Sequence, residues 1–166
     1  MPSPYSTSAE PRERRSEPAL TCLAATSDEE LAAHHRIRVA VFVHEQGFFR
    51  DSDRDERDEE PATVKVLAMD GPVAGGAVRL YPLGEPGLWK GDRLAVLPPF
   101  RPRGLGAHLV RFAVRTAGER GGELMIAHVQ PRNVVFFWRL GWLTVGDPVE
   151  YVGHAHQQMS IRLGRG

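Results

Sequence analysis

The sequence predicts a single α/β or α+β domain in which helices flank one sheet. Apolar and β-branched segments of strand length follow one another along the chain, and segments of helical periodicity interrupt them. A length of 166 residues suits one domain with one hydrophobic core. We expect residues 1–18, which are poor in apolar side chains, to be a disordered tail, and residues 19–166 to form the domain.

The composition excludes several classes of function. With 21 basic and 21 acidic residues, the chain offers no bulk attraction for nucleic acid. No apolar stretch approaches the ~20 residues of a membrane span, and the polar N-terminus has no signal-peptide core. The lone Cys22 cannot form an internal disulfide, which suits a reducing compartment. We therefore expect a cytoplasmic protein that binds neither nucleic acid nor membranes.

The domain is predicted to begin with a strand and a helix. Residues 19–25 read as the strand, and the Ser-Asp-Glu-Glu run at 27–30 is a capping box that begins the helix. Leu31, Ile37 and Val41 would form its inward face. The β-branched residues that follow leave the end of this helix open.

A polar loop and three strands are predicted next. Residues 44–61 form the loop, whose acidic side chains we expect to be solvated, with attraction of a cationic amine as the alternative. Residues 63–68 and 73–83 read as strands joined by an Asp-Gly turn at 70–71, and residues 88–97 continue the group.

The second half of the domain is predicted to start with an amphipathic helix. Its apolar positions recur at helical spacing and two glycines end it at 121–122. The positions are Leu105, Leu109, Phe112, Ala113 and Thr116. After it we expect a buried strand at 124–129, a short helix at 133–140, and last strands at 142–145 and 150–161.

A glycine-rich turn precedes the amphipathic helix. It reads Arg101-Pro102-Arg103-Gly104-Leu105-Gly106-Ala107 and follows the apolar run 94–97. A strand, a glycine turn and a helix in that order surround a small concavity with backbone N–H groups and the positive helix end. Such a concavity suits a phosphate, and the two arginines add forked donors. A plain strand-to-helix turn is the alternative.

Two signatures in order resemble the GCN5-related N-acetyltransferase (GNAT) superfamily. Arg101-x-x-Gly104-x-Gly106 resembles its acetyl-CoA pyrophosphate loop. The segment 133–142 resembles its next signature, a short helix ending in an aromatic-x-x-x-Gly-aromatic turn. The resemblance spans roughly residues 28–162.

Narrower likenesses lie outside those signatures. Residues 38–46 resemble the Arg-x-x-Val-Phe…Glu-Gln signature of the ElaA-like branch, and residues 153–159 resemble its ending. Acyl-homoserine-lactone synthases share a related fold and a similar N-terminal segment. Residues 89–96 with Gln130 and Asn133 resemble a group of N-acetyltransferases linked to nitrogen-starvation gene clusters.

The resemblance implies a fold and a cofactor site. The fold is a mixed, mostly antiparallel sheet with helices on both faces, splayed between the strand ending at Leu97 and the strand 124–129. Acetyl-CoA would be the co-substrate, without a metal. Its pantetheine would lie along Ala95 and Val96, and Asn133 and Phe137 would line the thioester end. The pyrophosphate would be held by Arg101, Arg103, Gly104, Leu105, Gly106 and Ala107.

An acceptor ammonium must lose a proton before its nitrogen attacks, so the site needs a base. Glu45, His128 and His156 are the candidates. His128 and His156 could equally be structural histidines, and Glu45 could be solvated at a helix end. His34 and His35 are adjacent on a helix and are expected at the surface or boundary. The three tryptophans are expected in the core or in the cleft wall.

The family pattern breaks at Phe137, where many GNAT enzymes carry a tyrosine that protonates the leaving thiolate. The sequence therefore predicts an acetyl-CoA-dependent N-acetyltransferase acting on a small-molecule primary amine by direct attack in a ternary complex. An acyltransferase using a longer acyl donor, like the autoinducer synthases, and a non-catalytic acyl-CoA-binding module stay open. Sheet edges near the C-terminus could also pair two subunits.

Overall fold

The computed structural model describes residues 19–151 and 153–164, so the tail expected at 1–18 lies outside the described residues. This part of the chain contains eight strands and three α-helices. The strands are β1 (Leu20–Ala24), β2 (Val64–Asp70), β3 (Val73–Pro82), β4 (Leu88–Val96), β5 (Leu124–Val129), β6 (Leu143–Thr144), β7 (Val149–Tyr151) and β8 (His154–Arg162). The helices are α1 (Asp28–Arg38), α2 (Leu105–Glu119) and α3 (Val134–Arg139).

The strands form one mixed sheet in the order β1-β2-β3-β4-β5-β8-β6, and β7 pairs with β8 off that path. Within the described residues, β4 and β5 run parallel and the other neighbours are antiparallel. The mixed, mostly antiparallel sheet that the resemblance implies is confirmed.

The sheet opens between β4 and β5. In the described chain these strands pair only over Leu88–Lys90 and Leu124–Ile126, although β4 continues to Val96 and β5 to Val129. The two strands therefore diverge toward their C-terminal ends and leave a wedge-shaped cleft. Arg93 lies in the diverging part of β4 with φ of 54°, a left-handed conformation that is uncommon for a side chain with Cβ.

Each face of the sheet carries a hydrophobic cluster. Helix α2 covers one face, and its buried positions follow one stripe: Leu105, Leu109, Val110, Ala113 and Ala117. The helix approaches closely because β3 has glycines beneath it: a Cβ on Gly76 would lie 2.9 Å from Leu109 Cδ1 of α2. Helix α1 covers the other face through Ile37, followed by Val41 and Phe42. Helices on both faces are thus confirmed.

Several element predictions need correction. A 3₁₀ turn at Pro98–Arg103 precedes α2, and after Arg38 the first helix widens into a π-helix at Val39–Glu45. The last predicted strand is two strands, β7 and β8, because Gly153 turns the chain with φ of 74°. The strand predicted at 142–145 shortens to Leu143–Thr144.

Two expectations about burial are wrong. His34 is 1 % exposed, because its Nε2 donates to the Val78 carbonyl oxygen 3.0 Å away across the face of β3. Trp89 and Trp142 are buried as expected, whereas Trp138 is 53 % exposed on the outer side of the short α3.

Two carboxylates of the acidic loop are buried in ion pairs instead of being solvated, whereas its other acids are exposed as expected: Asp51, Asp55, Glu56, Glu59 and Glu60. Asp53 is fully buried, and the side chain of Asp58 is 1 % exposed. Asp53 accepts from Arg38 Nε at 2.7 Å, and Asp58 accepts from Arg38 Nη1 at 2.6 Å. Asp58 belongs to a 3₁₀ turn at Glu56–Glu59, and Asp53 precedes that turn. The run of acids folds onto guanidinium groups because burial without such partners would be costly.

Candidate functional site

A cavity of about 160 Å³ lies in the cleft between β4 and β5. Its walls come from both faces of the sheet, with Val110 and Ala113 of α2 on one side and Phe42 of the π-helix on the other. Four of the predicted site residues line it: His128, His156, Asn133 and Phe137. The splay therefore makes a passage through the sheet rather than a surface groove.

The strand register brings the two candidate histidines together. His128 of β5 is opposite Gln158 of β8, and His156 is two residues before Gln158 on the same face. Such diagonal neighbours are close enough for long side chains to interact. The ladder thus places both imidazoles on one wall of the cavity.

The tautomer of His156 follows from its hydrogen bond. Its Nδ1 lies 3.0 Å from the His154 carbonyl oxygen, and a carbonyl can only accept. Nδ1 therefore carries the proton, and in the neutral ring Nε2 holds the lone pair.

The environment favours the uncharged form of His128. Burial lowers the pKa of His128, and the positive charge of Lys90 and the neighbouring His156 lower it further. A depressed pKa leaves this imidazole neutral at pH 7, which is the form that can accept a proton.

The glycine turn has the geometry of an anion cradle. Gly104 is the N-cap of α2 with φ of 77°, and none of the described side chains caps the helix. The N–H groups of Leu105, Gly106 and Ala107 belong to the first helical turn, where backbone donors lack intrahelical acceptors. Leu105 is fully buried and fixes the turn against the core. A ligand phosphate fits such a turn.

Both arginines of the turn already have carboxylate partners. Arg101 Nη2 donates to Glu45 Oε1 at 2.5 Å, and its Nε donates to the Val96 carbonyl oxygen at 3.1 Å. Arg103 Nε donates to Asp70 Oδ2 at 3.1 Å. The Arg101 side chain is 47 % exposed, so a ligand phosphate could replace its partner at little cost. Glu45 is therefore at the turn, and the described residues that line the cavity do not include it.

The predicted pantetheine segment lies on the edge of the cleft. Ala95 and Val96 pair with Ala77 and Gly76 of β3, and the opposite edge of β4 faces the gap toward β5. Main-chain groups on that edge have no β5 partner among the described residues beyond Lys90. An extended chain with amide groups could therefore add along it.

Phe137 packs in the wall as a plain aromatic ring. It is 7 % exposed and makes edge-on contacts with Phe136 and Trp142, at centroid distances of 5.4 and 5.3 Å. A phenyl ring cannot donate a proton, so Phe137 cannot protonate a leaving thiolate.

Sequence reasoning missed the segment that covers the cavity on the α1 side. The Phe48 ring contacts the His154 ring at 4.5 Å, and Arg93 lies over the Phe49 ring at 4.9 Å. Gln130 Nε2 donates to Gln46 Oε1 at 3.4 Å. The signal was present in the sequence, since two adjacent phenylalanines stand out in an otherwise polar loop.

The described residues were searched for a metal site and for a membrane-spanning helix. Within residues 19–151 and 153–164, no group of three or more His, Cys, Asp and Glu could hold a metal ion. No helix of this part is long and apolar enough to cross a membrane.

Comparison with known proteins places the chain among acetyltransferases. The sequence model of the acetyltransferase (GNAT) family matches residues 35–142. A Bacillus subtilis (strain 168) protein, named "Putative acetyltransferase BSU40680", is 31 % identical over 136 residues, which cover 81 % of this chain and 91 % of that protein.

Solved structures share the fold. Escherichia coli ElaA is 20 % identical with a TM-score of 0.74, covering 86 % of this chain and 97 % of that one. The CoA-dependent acyl-homoserine lactone synthase BjaI is 20 % identical with a TM-score of 0.72, covering 88 % and 83 %. Both likenesses show that the fold of this chain is shared with these proteins.

Proposed function

The chain belongs to the acetyltransferase (GNAT) family and is an acyl-CoA-dependent N-acyltransferase, and we propose that it acetylates a small-molecule amine by direct attack in a ternary complex. One observation carries this proposal. The splayed cleft joins the uncapped start of α2 to a cavity that holds His128 and His156. A donor bound in that cleft would present its acyl group where an acceptor and a base can meet, and such proximity supplies much of the acceleration.

Donor binding would use the turn and the edge of β4. The thioester of acetyl-CoA supplies an activated acyl group. The first-turn amides of Leu105, Gly106 and Ala107 would hold the pyrophosphate, and Gly104 would allow its close approach. Arg101 and Arg103 would exchange their carboxylate partners for phosphate oxygens. The residues that would lie along the pantetheine and the thioester are Ala95, Val96, Asn133 and Phe137.

Acceptor chemistry would use the histidine pair. His128 is neutral by its depressed pKa, and His156 presents the Nε2 lone pair because its Nδ1 donates to a carbonyl. Either imidazole can take the proton that the attacking nitrogen loses. We assign Glu45 to holding the Arg101 side chain at the turn, because its carboxylate contacts that guanidinium.

A longer acyl donor is the second candidate, and the apolar cavity favours it. Rings of Phe42, Phe48 and Phe49 line a space that an acetyl group alone would not fill. Incubation with an equimolar series of acyl-CoA esters and a panel of amines, followed by mass spectrometry of the products, separates the two donors. We expect N-acetyl products to dominate.

The same mixture tests the enzyme assignment against a binding module. Acetyl-CoA should raise the melting temperature and release free thiol in the presence of an accepted amine. His128→Ala and His156→Ala should each lower kcat without abolishing the thermal shift, whereas the exposed Val73→Ala should change neither. A thermal shift without thiol release from any amine would favour a non-catalytic acyl-CoA-binding module.

A further inference from the structure

The charged side chains that line the cavity are neutralised by a network beneath it. Asp92 and Arg93 are the acidic and basic residues among the described cavity-lining ones, apart from histidine. Asp92 accepts from Arg79 Nε and Nη2 at 2.8 Å each, and from the Tyr81 hydroxyl at 3.0 Å. Both carboxylate oxygens are thus engaged by donors within the protein.

Arg93 is neutralised in the same way from the acidic loop. Its Nε donates to Asp53 Oδ2 at 3.0 Å, and its Nη2 donates to the Asp53 carbonyl oxygen at 3.1 Å. Asp55 Oδ2 lies 3.4 Å from the same Nη2.

The network balances within the described residues. Its four cations are Arg38, Arg79, Arg93 and Lys65, and its four carboxylates are Asp53, Asp55, Asp58 and Asp92. It therefore presents no uncompensated charge to a molecule in the cavity.

Aromatic rings cover the cavity on the α1 side. Phe48 contacts His154 of β8, and Phe49 stacks under Arg93 of β4. The hydrogen bond between Gln46 and Gln130 joins the same segment to the end of β5. The covering segment thus touches all three strands around the cleft and gives the cavity flat, apolar walls.

We propose, as a refinement of the proposed function, that the acceptor is an aromatic amine that is uncharged near neutral pH. An alkyl ammonium entering this cavity would lose its hydration without gaining a carboxylate, which is unfavourable. An uncharged arylamine loses little hydration and stacks against the phenylalanine rings.

The proton balance supports an uncharged nucleophile. The amine nitrogen uses its lone pair to form the C–N bond, and the C–S bond breaks with its electrons on sulfur. The nitrogen then has one surplus proton and the sulfur lacks one. A neutral histidine of the pair can take the proton from nitrogen and return it to sulfur, so Phe137 needs no hydroxyl. An ammonium would bring a second proton, which must leave to solvent before the nitrogen can attack, whereas an uncharged amine needs no such step.

The first experiment compares aniline with benzylamine, which has a similar shape but is protonated at pH 7. With acetyl-CoA as donor, thiol release and product mass should show a kcat/KM at least about tenfold higher for aniline. A tenfold ratio corresponds to a difference of about 1.4 kcal/mol in binding free energy. Equal or better use of benzylamine would overturn the inference and leave the proposed function intact. If acetyl-CoA shifts the melting temperature but neither these two amines nor any amine of the panel releases thiol, the result would count against both the inference and the proposed function.

The second experiment changes the charge balance. Arg93→Met leaves Asp53 and Asp55 with surplus negative charge beside the cavity, so the preference should move toward benzylamine by roughly tenfold. Arg57→Gln is the matched control, because Arg57 pairs with Glu60 at the exposed side of the same loop. A loss of stability alone would lower both rates equally. If Arg93→Met leaves the ratio of the two rates unchanged, charge compensation does not select the acceptor.

Discussion

Replacement of Asp58 by asparagine tests the buried ion network most directly. The Asp58 carboxylate accepts from Arg38 Nη1 at 2.6 Å, Arg38 Nη2 at 3.0 Å and Arg79 Nη1 at 3.1 Å, and the Asp55 backbone N–H donates to it at 3.1 Å. Asparagine keeps the shape but leaves two buried guanidinium groups short of one negative charge. Removing one partner of a buried ion pair typically costs about 3–5 kcal/mol.

That loss is large for a domain of this size. Natural domains are stable by about 5–15 kcal/mol, so Asp58→Asn should remove roughly a fifth or more of the free energy of unfolding. The melting temperature should fall by roughly 6–20 °C, at about 2–4 °C per kcal/mol. Urea unfolding followed by circular dichroism gives the free energy, and a thermal melt gives the temperature.

The control and the pH dependence sharpen this test. Glu60→Gln removes a pair whose two side chains are 35 % and 44 % exposed, and should cost less than about 1 kcal/mol. Burial alone would raise the pKa of Asp58, but hydrogen bonds from Arg38 outweigh it and hold the pKa below its usual range. The stabilisation is therefore present above the unfolded pKa of about 3.9 and is lost as pH falls below it, so wild type and Asp58→Asn should converge in acid. A cost for Asp58→Asn no larger than that of Glu60→Gln would refute the reasoning.

Three further outcomes are expected. Glu45→Gln should release Arg101 and tighten coenzyme A binding about two- to fivefold, because the energy of one exposed ion pair no longer opposes binding. Calorimetry measures this change. A fall in kcat at unchanged Kd would instead make Glu45 a catalytic base. Phe137→Tyr should change kcat by less than about tenfold, since the histidine pair already moves the proton, and a gain of about a hundredfold would show that thiolate protonation limits turnover. Burial lowers the pKa of His34 to about 4 in the folded protein. As pH falls below 6.5, His34 therefore becomes protonated in the unfolded chain but stays neutral in the native state. Up to about 3 kcal/mol of stability should be lost by pH 4, and urea melts of His34→Gln, which keeps a donor for Val78 but does not titrate, should lack this slope.

Local patterns were sufficient for most elements. The capping box at 27–30 begins α1, with Ser27 accepting from the Glu30 N–H and the Glu30 carboxylate accepting from the Ser27 N–H. The stripe from Leu105 onward makes α2, and the run 124–129 makes β5 with the predicted bounds. These features depend on neighbours within a few residues, so the sequence carries them directly.

Local patterns misled where a long-range partner decides the outcome. Asp53 was expected to be solvated with the rest of the acidic loop, yet it pairs with Arg38, 15 residues away, and with Arg93, 40 residues away. His34 looked like a boundary residue because its acceptor, the Val78 carbonyl, lies on another element. Both cases depend on a partner that only the tertiary fold brings into contact.

The sequence by itself determined the family, the glycine turn before α2 and the residue types that the site contains, because those signals lie in contiguous segments. Only the tertiary structure decided that His128 and His156 share one wall, since the register of β5 against β8 sets it. It also decided that Glu45 holds Arg101 and that Phe48 and Phe49 cover the cavity. The reason is physical: a residue's chemistry follows from its side chain, whereas its charge balance and its partners follow from groups that only folding brings within a few ångströms.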